Sequence, residues 1–351
     1  MPSPSPGISN NALAGVTVLS SRNAWAVGSY YDLSMHQTLA LIEHWNGTAW
    51  QQVASPNPSS NNNFLTGVAA VSARNIWAVG WYTDAAGSPQ TFILHWNGIL
   101  WTQLPTPDPA GPTGYNALAG VAAVSATRAW AVGTYDTATR TKTLLLRWNG
   151  TSWKRARTPS PSSISNLLSG VAAVSGRNAW AVGYTVRSND RPFILHWNGT
   201  RWKRMTSPNP DGAAHGDLLT GVAAVTARKV WAVGYDNISG GKSLILRWNG
   251  TRWRRVASPN PSSTGDILSG VAAVSARNIW AVGYLWNGAA DQTLIEHWNG
   301  TRWRHVQSPD PADTVNSNLL SGVAASAATN LWAVGSYEIP PASNTLAVHR
   351  C

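Results

Sequence analysis

Residues 270–284 read GVAAVSARNIWAVGY, and residues 293–303 read TLIEHWNGTRW. This pair of runs decides the fold, because near copies of it recur along the chain. The tetrapeptide WAVG occurs seven times, with Trp25, Trp77, Trp130, Trp180, Trp231, Trp280 and Trp332 spaced 49 to 53 residues apart. A glycine precedes each by ten residues, from Gly15 to Gly322. A WNG tripeptide follows in six units, from Trp45 to Trp298, and another Trp stands five residues beyond each, from Trp50 to Trp303. Nineteen of the 21 Trp fall in this pattern. Such internal periodicity marks a repeat architecture and overrides the several domains that 351 residues would otherwise suggest.

Each unit reads as four short strands, LLSGVAAVS, NIWAVGY, TLILHW and TxWxxV, bounded by Asn, Gly, Ser and Pro. No segment keeps a 3.6-residue apolar period over a helical length, so the chain is all-β. Asn-Gly between the third and fourth strands predicts two-residue type I′ hairpin loops. A four-stranded unit cannot bury both its faces alone, but units packed radially around an axis do, which predicts a seven-bladed β-propeller of antiparallel blades. The small residues of GVAAVS suit the crowded axis, and the Trp of later strands fill the wider gaps between diverging blades.

The blades are expected at about 13–63, 64–115, 116–166, 167–217, 218–266, 267–318 and 319–351, after a Pro/Ser-rich tail at 1–12. The last unit stops after TLAVHRC and lacks its outer strand. The segment PSPSP matches the linker that follows such a strand, but its prolines supply no ladder hydrogen bonds. Side-chain packing is therefore expected to close the ring, leaving an open outer edge at 344–349.

Loop lengths separate the two faces of the disc. The first-to-second and third-to-fourth strand connections keep one length, whereas the distance from the WAVG Trp to the WNG Trp varies from 17 to 20 residues. The fourth-strand connection to the next blade varies too, so all variation lies on the opposite face, the expected place for binding loops. Trp81 and Trp286 lie there outside the repeat pattern, next to Tyr82 and Tyr284. These four are the candidate ligand or partner contacts.

The chain carries 26 Lys and Arg against 15 Asp and Glu, a net +11 that permits anionic partners without requiring them. Basic residues gather after the third Trp of blades three to six: Lys154, Arg155 and Arg157, then Lys203 and Arg204, Arg254 and Arg255, and Arg304. They form a one-sided basic rim, and charge on an outermost strand also blocks edge-to-edge pairing. No regular interleaving of exposed aromatics accompanies them, so nucleic acid is not an expected partner.

Glycoside chemistry would need paired carboxylates, whereas Glu43, Glu296 and Glu338 are the only Glu, and Glu43 and Glu296 hold one repeat position in two separate blades. The His or Arg before each WNG Trp sits at equivalent places on separate blades, which cannot converge on one metal ion. No metal, cofactor or enzymatic activity is expected. The NGT sequons at Asn46, Asn149, Asn198, Asn249 and Asn299 coincide with the hairpin turn that already explains them. A soluble monomer is expected, with no membrane partner and no signal peptide in this chain. Cys351 or the blade-seven edge would be the routes to a dimer, and the sequence is compatible with a secreted parent protein whose signal lies outside this segment.

The repeat GVAAVSARNIWAVGY…TLILHWNGTRWRRVASP resembles the Asp-box (BNR-type) repeats of photosystem II assembly-factor-like propellers, and it is similar to tectonin-type lectin repeats. The resemblance covers residues 13–351, although the Asp-box acidic turn is replaced here by Asn-Gly. It implies a propeller with a binding role. In the assembly factors an Arg-rich surface is implicated in holding a partner protein. The expected function is a non-enzymatic scaffold presenting its variable loops to a protein or peptide. A carbohydrate-binding lectin with aromatic pockets between blades is the alternative.

Overall fold

The computed structural model describes residues 1–209, 216–237, 240–327 and 329–350. Among these there is no helix, and 27 strands form seven antiparallel blades in the order inner to outer along the chain. In blade one the strands are β1 (Ser9–Ser20), β2 (Asn23–Asp32), β3 (Gln37–Trp45) and β4 (Trp50–Gln52). One parallel pair, Thr141 with Ser165, links blades three and four into a single hydrogen-bonded sheet. Blade seven has three strands, the last being Ala342–Arg350.

Burial follows position in the wedge. β2 and β3 are sandwiched between neighbouring blades and are buried on both faces over a continuous central run of five residues each, AWAVG in β2 and LALIE in β3. β4 buries only Trp50 and leaves Gln51 and Gln52 exposed.

The walls between blades are built from tryptophan. The second-strand Trp of one blade meets both outer Trp of the next: Trp77 lies 4.9 Å from Trp148 and 5.1 Å from Trp153, centroid to centroid. The tilted and edge-on arrangements are those that aromatic quadrupoles favour. The residue before each WNG Trp covers the same indole. It is His44 on Trp25 at 4.4 Å in blade one and the Arg147 guanidinium 5.3 Å above Trp130 in blade three. These His and Arg side chains are thus parts of the walls.

At the axis the inner strands converge on glycine. A Cβ on Gly15 would stand 3.1 Å from Gly67 Cα, and a Cβ on Gly322 would stand 3.1 Å from Gly15 Cα, so the glycine circle closes on itself. The central opening is small, about 150 Å³.

Blade seven meets blade one through the same kind of wall, with Trp332 at 4.9 Å from both Trp45 and Trp50. The stretch 1–12 is not a free tail. β1 begins at Ser9, and the residues before it dock on the last strand of blade seven. The Met1 amino group donates to the Ala347 carbonyl at 2.8 Å, the place that the Val53 amide takes on Ile42 in blade one. Ser5 Oγ accepts from the Thr345 amide at 3.1 Å, as Asn57 Oδ1 accepts from Ala40 at 2.8 Å. Proline adds no ladder bonds, but serine side chains and the terminal amine do. The edge expected open over 344–349 is therefore covered along its first half.

The WNG turn also departs from expectation. Trp45 pairs with Trp50, so the loop holds four residues, not two. Only Gly47 takes a positive φ, at 100°. Asn46 instead caps the turn with its side chain, Oδ1 accepting from the Thr48 and Ala49 amides and the Thr48 hydroxyl. Thr is at this place because it satisfies that cap, a local side-chain-to-backbone bond typical of Asn.

Candidate functional site: a cationic groove between blades

The outer strand of blade three, Trp153–Arg155, alternates its side chains between two walls. Trp153 enters the wall toward blade two and Lys154 faces outward. Arg155 turns back with Trp153, its guanidinium 4.5 Å above the Tyr135 ring and an N–H donated to the Tyr135 hydroxyl. The strand then leads to Arg157, while Arg201 stands on the WNG turn of blade four.

Between these elements lies a groove of about 440 Å³ lined by Trp130, Arg147, Lys154, Arg155, Arg157, Trp197 and Arg201 among others. None of its described lining residues is acidic. Arg147 lies 5.3 Å above Trp130 and 5.6 Å above Trp197, so the floor is two indoles covered by one guanidinium. The groove can pair carboxylates or sulfates with Lys154, Arg157 and Arg201, and Arg forks bind such groups bidentately.

Along the basic rim Lys154, Lys203, Arg254 and Arg304 are exposed, and Arg155, Arg204 and Arg255, although exposed too, reach groups of their own blade. Arg204 lies 5.9 Å above Phe193, and Arg255 approaches the Asp236 carboxylate at 3.5 Å.

The four aromatic candidates on the variable face are split between blades two and six. Trp81 stacks on Phe64 at 4.3 Å, and Tyr82 borders a cavity of about 320 Å³ beside Asp108 and Thr91. Burial first, then Asp108 and Asp84, raises the Tyr82 hydroxyl pKa. Burial likewise raises Tyr284, followed by Asp291 and Tyr235. Trp286 is 40% exposed. Two non-neighbouring blades do not make one pocket of these residues.

Glu43 and Glu296 stand in different walls. Ser3 Oγ donates to Glu43 at 2.5 Å, and Ser258 Oγ reaches both Glu296 oxygens at 2.8 Å. Burial pushes their carboxyls up to about 8 and about 7 respectively. Among the described residues no three of His, Cys, Asp and Glu gather in a cluster fit for a metal ion. Cys351 lies outside the described residues.

Sequence reasoning named Lys154, Arg155 and Arg157 but missed Arg147 and Arg201 as their neighbours. The signal was there: Arg147, like Arg247, stands where His44, His95, His196 and His297 precede the WNG Trp of other blades, and Arg201 follows NGT where earlier blades have a small or apolar residue.

No family model matches the sequence, and no curated protein matches it. Among solved structures, YCF48 bound to D1 peptide is similar over 99% of this chain and 95% of its own, with a TM-score of 0.60 at 14% identity. A polysaccharide lyase of the PL25 family, an ulvan lyase bound to -[GlcA(1-4)Rha3S]-, is similar over 98% of this chain and 95% of its own, with a TM-score of 0.57 at 11% identity. The likeness to an assembly-factor propeller expected from the repeats is met at the level of the fold. The expectation of no enzymatic activity does not stand, because a fold of this shape serves a polysaccharide lyase. Regular repeats therefore do not exclude catalysis on this scaffold.

Proposed function

We propose that this propeller is a binding protein that holds an extended acidic segment of a partner protein in the groove between blades three and four. One observation carries the reading: Lys154, Arg157 and Arg201 converge with Arg147 around one concavity without an acidic lining residue. An acidic peptide would place carboxylates against these cations, where partial desolvation strengthens charge-assisted bonds. Sugar stacking is less favoured. Trp130 and Trp197 are 1% and 7% exposed and lie beneath Arg147, so neither offers a free indole face. YCF48, of the same fold, is described as bound to a peptide, which supports a peptide over a glycan ligand.

The test is fluorescence anisotropy with a labelled poly-glutamate peptide. Lys154→Glu, Arg157→Glu and Arg201→Glu combined should weaken binding by about tenfold or more, or about 1.4 kcal/mol. The control Gln51→Glu with Gln52→Glu on blade one should leave it unchanged. Unchanged affinity in the triple variant, or stronger binding of an acidic oligosaccharide than of the peptide, would overturn the reading.

A further inference from the structure

The disc is divided by charge. The face formed by the first-to-second and third-to-fourth strand turns carries Arg22, Arg74, Arg128, Arg177, Arg228 and Arg277 in its inner turns, all exposed. Arg201, Arg252 and Arg302 add an exposed outer set on the WNG turns. The two sets are contiguous, since Arg22 and Arg277 lie against Gly47 and Gly300 of the outer turns. No Asp or Glu stands in any turn of this face. Aspartates gather on the opposite face instead, at or beside the ends of the second strands, as in Asp32, Asp84, Asp136 and Asp236.

One turn on the basic face breaks the pattern. Where blade three has Thr151 and Ser152 after Asn-Gly, blade two has Ile99 and Leu100, which are 82% and 52% exposed. Water is a poor environment for two projecting aliphatic side chains, and the cation Arg74 lies against Gly98 of the same turn. A protein partner would need an acidic surface with a matching apolar socket. An anionic bilayer offers both chemistries at once, negative headgroups over a wide plane and hydrocarbon a few ångströms below. Turns of one length around the disc make the plane to match it.

We propose that this face docks on an anionic lipid bilayer, with the Ile99–Leu100 turn inserted below the headgroups. No helix among the described residues is long and apolar enough to cross a membrane, and the contact proposed is with the bilayer surface. Such docking departs from the expectation of no membrane partner. It is independent of the peptide reading except at Arg201, which borders both surfaces and is left intact below.

Vesicle co-sedimentation tests it, with phosphatidylcholine vesicles made with and without phosphatidylserine. The protein should sediment with the phosphatidylserine vesicles only and be released by high salt. Ile99→Thr with Leu100→Ser, the turn that blade three already tolerates, should lower partitioning by about tenfold or more while peptide binding is retained. Equal behaviour on both vesicle types, or a double variant that partitions like the parent, overturns the proposal. The second outcome would mean that the face recognises polyanions by charge alone.

Discussion

A carboxyl group removed from water resists ionisation, and the two wall glutamates are placed to show it. Glu43 and Glu296 are fully buried, each against a serine hydroxyl, and burial raises them to about 8 and about 7 from an ordinary 4.5. A carboxyl whose folded pKa lies above its unfolded one binds more protons in the folded state between the two values. Their contribution to stability therefore falls as pH rises from about 4.5 through about 8 and then levels off. Five histidines lowered by burial act in the opposite direction, so the test is the difference in urea unfolding between the parent and Glu43→Gln with Glu296→Gln, which should shift in favour of the double variant as pH rises across that range. A difference that stays constant with pH would contradict this assignment. At this scale the sequence identified the repeated Trp as wall residues but not the Asn46 cap, because the dipeptide Asn-Gly fits both a two-residue turn and a four-residue one.

Among elements, the segment before β1 decides how the ring ends. Asn11 is the blade-one member of a buried Asn or Asp series at the start of each inner strand, with Asn63, Asn116, Asn166, Asp217, Asp266 and Asn318. Its side chain accepts from the Gly7 amide and donates to the Gly7 and Ser343 carbonyls, tying the N-terminal segment to blade seven. Asn11→Ala leaves those groups unpaired and should cost about 1–3 kcal/mol in denaturant unfolding. Ser5→Ala, which removes the acceptor for the Thr345 amide, should cost about 1 kcal/mol. A neutral outcome for both would mean that wall packing alone closes the ring. The match of PSPSP to the interblade linker was legible in the sequence. That serine hydroxyls take over the linker's Asn bonds was not, since the partner Thr345 is distant in the chain and proline signals point away from pairing.

For the molecule as a whole, blade number was legible because one Trp, one Gly and one turn recur in fixed register. The groove and the two-sided charge were not, because both depend on which turns share a face and which blades are neighbours. Six walls carry a three-Trp cluster and the wall between blades six and seven does not. Trp180 packs on Trp248 at 5.2 Å and Trp253 at 5.4 Å, whereas Trp280 has His297 at 4.1 Å and the Arg350 guanidinium at 5.0 Å. If indole wedges hold the blades together, their loss should cost most where they meet other indoles. Denaturant unfolding of Trp180→Ala and Trp280→Ala tests this most directly. The account predicts about 3–5 kcal/mol for Trp180→Ala and at least about 1 kcal/mol less for Trp280→Ala. Equal losses, or a larger one at Trp280, would contradict it.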